Sequence, residues 1–156
     1  MYFVSPTRGV LSFEGMYADV VTYVSESPSD DYKLIIGTDS HSKDDIVFVT
    51  AVIVHRKGKG ARYYYHKQRD RKMPSLRQRI YFETSLSLTV ASRLAEMIAA
   101  NGTANLNVEI HLDVGQVGET KDLIREVVGM VMGSGFDAKI KPDSYGASKV
   151  ADKHSK

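Results

Sequence analysis

The stretch Tyr32-Lys33-Leu34-Ile35-Ile36-Gly37-Thr38-Asp39-Ser40-His41 decides how this chain is read. Its aliphatic and β-branched run follows a polar, Pro-containing loop, Ser25-Glu26-Ser27-Pro28-Ser29-Asp30-Asp31, which is the pattern of a strand. The strand ends in polar residues with Asp39 among them. Ser42-Lys43-Asp44-Asp45 turns the chain back, and Ile46 to His55 (IVFVTAVIVH) is almost continuously apolar, as a strand covered on both faces must be. Gly58 and Gly60 mark a second turn, and the aromatic run from Ala61 to Arg69 reads as a third strand returning antiparallel. Three strands joined by two hairpins form a meander.

Downstream the period changes. Ser75 is placed to cap a long helix from Leu76 to Ala100, which Asn101-Gly102 stops. Leu106 to Val114 (LNVEIHLDV) alternates as a strand with one buried face, Glu119 to Met132 reads as a helix ended by Gly133 and Gly135, and Asp137 to Lys141 as a short last strand. A final short helix opens near Asp143. Upstream, Phe13 to Val24 is a short amphipathic helix, so residues 1–31 are expected to be a helical extension on the main domain. A meander feeding right-handed crossovers implies an α/β fold with a mixed five-stranded sheet, three antiparallel strands then parallel ones, and helices on both faces.

The chain has 156 residues, enough for a single domain with one substantial core. At 42% hydrophobic and 26% charged it has the composition of a globular protein, and with no Cys it has neither disulfides nor thiolate chemistry. No stretch is long and apolar enough to span a bilayer and the first residues lack a signal-peptide pattern, so no membrane partner and a cytoplasmic location are expected. The formal net charge is only +2, but ten Lys or Arg fall between Arg56 and Arg79 against the single acid Asp70. Arg56, Lys57, Lys59, Arg62, Lys67, Arg69, Arg71 and Lys72 suit a nucleic-acid backbone; the other role for such a run is a solvated, aggregation-resistant hairpin edge. Within it, alternation puts Tyr64 on one face and Tyr63 and Tyr65 on the other, as a core packer with two neighbours or as base-stacking platforms.

Glu83 is the strongest anomaly. Helical periodicity places it among Leu76, Ile80, Val90, Leu94 and Ile98 on the sheet-facing stripe, where an ionised carboxylate needs a metal ion or a basic side chain beside it. Asp39 lies toward the end of the first strand and Asp113 ends the fourth, and side chains at the carboxyl ends of neighbouring strands share one rim. Asp39, Glu83, Asp113 and one of Asp143 or Asp152 would make an all-oxygen site suited to Mg²⁺ or Mn²⁺, in the manner of two-ion phosphodiester chemistry. His41, on the same strand face as Asp39, and His154 near the last helix are auxiliary candidates. Gly115-Gln116-Val117-Gly118-Glu119-Thr120-Lys121 joins a strand to a helix but lacks the Gly-Lys-Ser/Thr order of a nucleotide phosphate loop.

Ile36-Gly37-Thr38-Asp39-Ser40-His41, His111-Leu112-Asp113-Val114-Gly115, Lys141-Pro142-Asp143-Ser144-Tyr145, Ala147-Ser148 and Val150-Ala151-Asp152-Lys153 together resemble the ribonuclease H-like proteins of the YkuK type. The resemblance spans nearly the whole chain. It implies an acid on the first strand, on the long helix, at the end of the fourth strand and on the last helix, positions matched by Asp39, Glu83, Asp113 and, preferred over the possible helix cap Asp143, Asp152. The expectation is a metal-dependent nuclease or phosphodiester-processing protein; its alternative is a catalytically silent nucleic-acid-binding module of the same fold. A small-molecule phosphotransferase ranks last, for want of a phosphate loop.

Overall fold

The computed structural model describes residues 1–102, 106–141, 143–144, 149–150 and 153–154. The meander is present as read: β3 (Tyr32–Ser42) pairs antiparallel with β4 (Ile46–Arg56) over its whole length, and β4 pairs with β5 (Ala61–Asp70). Gly58 and Gly60 carry φ of 74° and 103° in the β4–β5 turn, a backbone that side chains with a Cβ resist. The parallel half of the sheet follows, with β6 (Asn107–His111) beside β3 and β7 (Asp137–Lys139) beside β6.

Among the described residues the sheet has seven strands, not the five expected, in the order β2-β1-β5-β4-β3-β6-β7. The five from β5 to β7 have the anticipated arrangement. The two extra strands, β1 (Tyr2–Ser5) and β2 (Gly9–Ser12), form a hairpin that joins β5 through the Val4–Tyr65 pair. Four-residue strands are too short to stand alone. They persist here because β5 would otherwise be a bare edge and because Phe3 is fully buried, edge-on to Phe13 at 5.6 Å.

α1 (Phe13–Ser25), α2 (Leu76–Asn101) and α3 (Ile124–Gly133, preceded by a 3₁₀ turn Lys121–Leu123) bury their apolar stripes in one cluster. Phe13, Met16 and Val20, then Ile80, Val90, Leu94 and Ile98, then Val127 and Val131 meet Leu34, Ile36, Val52, Tyr64 and Ile110 of the sheet. Ser75 caps α2, accepting from the Gln78 amide at 3.3 Å, and Gly102 ends it in the left-handed region. The opposite sheet face carries a smaller cluster, Ile35 and Ile53 with Tyr63 and Val150. Val150 is helical, as are Lys149, Lys153 and His154, so helical structure touches both faces.

Tyr64 is fully buried, its hydroxyl donating to Asp19 Oδ2 of α1, while Tyr63 and Tyr65 are half-buried on the other face. The one-sided burial expected for the fourth strand is corrected. Glu109 and His111 on its polar face are also buried, because the His111 Nε2–H donates to Glu109 Oε1 at 2.8 Å and Lys33 Nζ lies 3.4 Å from Glu109 Oε2.

Candidate metal centre

The β3–β6 pairing stops at Gly37 and His111. Beyond Gly37, β3 keeps β4 on one side but, among the described residues, has no strand paired on the other, and Asp39 sits on that stretch. The neighbours of Asp39 point toward α2: Thr38 Oγ1 is 2.8 Å from Ser87 Oγ and 3.0 Å from Thr50 Oγ1, and Ser40 Oγ donates to Glu83 Oε2 at 2.5 Å. This polar seam locks the register of the long helix against β3, which is what brings Glu83 to the strand end. Asp113 arrives from the bend two residues after β6. One carboxylate oxygen from each of Asp39, Glu83 and Asp113 lies within 4.8 Å of the others.

Glu83 is only 6% exposed, and its carboxyl is pushed up to about 8. Burial is the main cause; the charges of Asp39 and Asp113 add to it, against the Ser40 hydrogen bond and the nearby Arg79. Arg79 reaches Glu83 through an intermediary, its Nη2 donating to Ser40 Oγ at 3.0 Å and to the Ser40 carbonyl at 3.4 Å. The basic side chain expected as one possible partner for Glu83 is therefore present, one hydroxyl removed. Opposite it, Lys141 Nζ is 2.8 Å from Asp113 Oδ1, and that contact raises the lysine's affinity for its proton. A buried acid beside two others, with oxygen donors alone, fits a hard divalent ion such as Mg²⁺ or Mn²⁺.

The remaining candidates are distributed elsewhere. His41 lines an adjoining groove of about 330 Å³ with Lys43, Asp45, Lys67 and Arg69. His154 stacks on Tyr65, centroids 3.9 Å apart, and shares a 3.2 Å hydrogen bond with the Tyr63 hydroxyl, so its described contacts are with β5 and not with the carboxylates. Asp143, the alternative fourth acid, lines a groove on the opposite sheet face with Lys33, Glu109 and His111 and is not part of the close carboxylate group. Asp152, the preferred fourth acid, lies outside the described residues.

The basic segment divides along β4 and β5. Arg56 lies over the Tyr23 ring, donates to the Tyr32 hydroxyl and faces Glu26 and Asp30; Lys59 pairs with Asp30 and Arg62 with Asp19. These fasten α1 and its following loop to the sheet. They sit at the Tyr32 end of β3, about 23 Å along the strand from Asp39 at roughly 3.3 Å per residue. Lys67, in contrast, aligns across Val49 with Asp39, and Arg69 aligns across Val47 with His41. These two share the sheet face of Asp39 and His41, and they stand at the end of the sheet where Glu83 arrives from the α2 side. Arg71 and Lys72 follow, exposed, immediately after β5.

Sequence reasoning missed Ser40 and Lys141 as parts of this site, and it expected a basic partner for Glu83 without naming Arg79. Ser40 stood next to Asp39, and Lys141 stood in one of the motifs that carried the resemblance, but nothing in either residue's spacing announces which carboxylate it meets.

A mixed sheet containing the strand order β5-β4-β3-β6-β7, and acids converging from its first core strand, long helix and fourth core strand, define a ribonuclease H-like architecture. A family model for ribonuclease H-like proteins matches residues 15–156, and the chain belongs to that family. Within it, the chain is 36% identical over 166 residues to the uncharacterised protein YkuK of Bacillus subtilis (strain 168), covering 99% of this chain and 96% of that protein. No solved structure matches the chain.

Proposed function

We propose that the protein is a divalent-metal-dependent nuclease, hydrolysing phosphodiester bonds of nucleic acid at the Asp39–Glu83–Asp113 centre. The observation that carries this reading is the convergence of three carboxylates from three separate elements to within 4.8 Å, one of them buried. Carboxyls placed so closely, one of them buried, favour either a retained proton or a cation among them, and a divalent ion can take the proton's place.

Asp39 and Asp113, both partly exposed, would hold the ion from the two strand ends, and Glu83, kept in place by Ser40, from the helix side. When bound, a Mg²⁺ or Mn²⁺ ion supplies Lewis-acid polarisation of a phosphoryl oxygen and lowers the pKa of an attacking water. In the hydrolysis the attacking water gives up one proton to solvent as its oxygen bonds to phosphorus, the bond from phosphorus to the leaving sugar oxygen breaks, and that oxygen takes up a proton from solvent. Lys67 and Arg69, on the sheet face of Asp39, would lie against the substrate backbone, where each neutralised phosphate releases counterions.

The test is a cleavage assay on labelled single-stranded RNA, DNA and RNA–DNA hybrid with Mg²⁺ or Mn²⁺. Metal-dependent cleavage that Asp39→Asn abolishes is the expected result. Absence of cleavage of every substrate, or equal cleavage by Asp39→Asn, overturns the proposal. Salt-sensitive binding without cleavage would instead identify a silent binding module.

A further inference from the structure

Lys141 is held beside the carboxylates by three separate contacts. Its amide donates to the Val114 carbonyl at 2.9 Å, continuing beyond β7 the ladder in which the Leu112 amide meets the Lys139 carbonyl at 2.8 Å. Its stem lies over Gly115: a Cβ on that glycine would stand 3.2 Å from Lys141 Cβ and 3.5 Å from Cδ, so the missing side chain is the space the lysine occupies. Its Nζ meets Asp113 Oδ1 at 2.8 Å and is within electrostatic reach of Asp39 and Glu83. A surface lysine ordinarily wanders through its rotamers; this one has its backbone, stem and head each tied to the segment 113–115.

The charge count gives that placement a meaning. Among the described residues the ionised centre would carry three negative charges, from Asp39, Glu83 and Asp113, and one positive charge from Lys141. The residual −2 is what one divalent ion cancels. A second ion would leave the centre strongly positive, with Asp113 Oδ1 already engaged and Arg79 close behind Ser40.

We propose that the Lys141 ammonium fills one of the two cation positions of this centre, so that the substrate-free protein takes up a single divalent ion. This rests on the metal-dependent reading above. With substrate bound, the ammonium stands where it can counter charge on the phosphoryl group, the electrostatic part of what a second ion does. Lys141 is then a residue of the centre equal in rank to the acids, and it departs from the two-ion site expected from the sequence.

The experiment is a Mn²⁺ titration of the full chain, with free Mn²⁺ followed by electron paramagnetic resonance and bound Mn²⁺ by equilibrium dialysis. Wild type is expected to bind one ion, lost in Asp39→Asn. Lys141→Met, which keeps the stem over Gly115 but removes the charge, is expected to bind two; Lys141→Arg, which keeps the charge, is expected to bind one. Lys141→Gln repeats the neutral variant should Lys141→Met fail to fold as judged by circular dichroism. Two ions on wild type, or a single ion on the neutral variants, overturns the assignment of Lys141 and leaves the metal site standing. No uptake by wild type overturns the metal site and this inference together.

Discussion

At the scale of single residues, Glu83 is the group whose environment most changes its chemistry. Its carboxyl, ordinarily near 4.5, titrates near 8 because it is buried between two other acids. Between those values the folded chain keeps a proton that the unfolded chain has released. Stability is therefore full below about 4.5 and falls as pH climbs through about 8, by on the order of a few kcal/mol from this group. Urea unfolding of the metal-free protein at pH 5, 7 and 9 should show that fall, and Glu83→Gln should flatten it; a slope unchanged by the substitution would mean that other groups set it. A divalent ion must displace the same proton. Mn²⁺ affinity should accordingly strengthen from pH 6 to pH 9, with proton release visible as a dependence of the calorimetric heat on buffer ionisation enthalpy.

At the scale of elements, the site depends on where strands stop. β6 ends at His111, which frees the flank of β3 beside Asp39, and the Thr38–Ser87 and Ser40–Glu83 bonds set α2 along β3. The β1–β2 hairpin contributes differently, closing the far edge and burying Phe3 under α1. Phe3→Ala should cost about 3–5 kcal/mol by thermal or denaturant unfolding, as for other fully buried aromatic deletions. A loss below about 1 kcal/mol would mean that the hairpin is an ornament on the sheet edge. The β4–β5 hairpin has two ends with two duties. Near the turn, Arg56, Lys59 and Arg62 are engaged with α1 and its loop, while Lys67 and Arg69 stand at the carboxylate end.

At the scale of the whole molecule, this division predicts the footprint of a nucleic acid. Replacing Lys67 and Arg69 together by Gln should weaken binding and lower the slope of log affinity against log salt by about two, roughly one for each phosphate no longer neutralised. Replacing Lys57 and Lys59 should leave the slope nearly unchanged. Fluorescence anisotropy with labelled oligonucleotide across a salt series measures both, and equal effects of the two pairs would defeat the assignment of the substrate to the Asp39 end. No described helix is long and apolar enough to cross a membrane.

The sequence alone determined the meander, the long helix and three acids of the centre, because each leaves a local mark. Period and turn residues mark the strands, and a carboxylate on an otherwise apolar helical stripe marks Glu83. Local pattern also sufficed to bury Tyr64 and turn its neighbours to the other face. Tertiary structure alone decided the rest. The N-terminal hairpin exists only because β5 offers it an edge, Glu109 and His111 are buried only because Lys33 lies on the adjacent strand, and Arg56, Lys59 and Arg62 of the basic segment are engaged by α1 and the loop after it. Above all, it placed the Lys141 ammonium on Asp113, a pairing of residues far apart in the chain that depends on two parallel strands and a glycine meeting side by side. Periodicity reports which face a residue takes, and only packing reports what waits there.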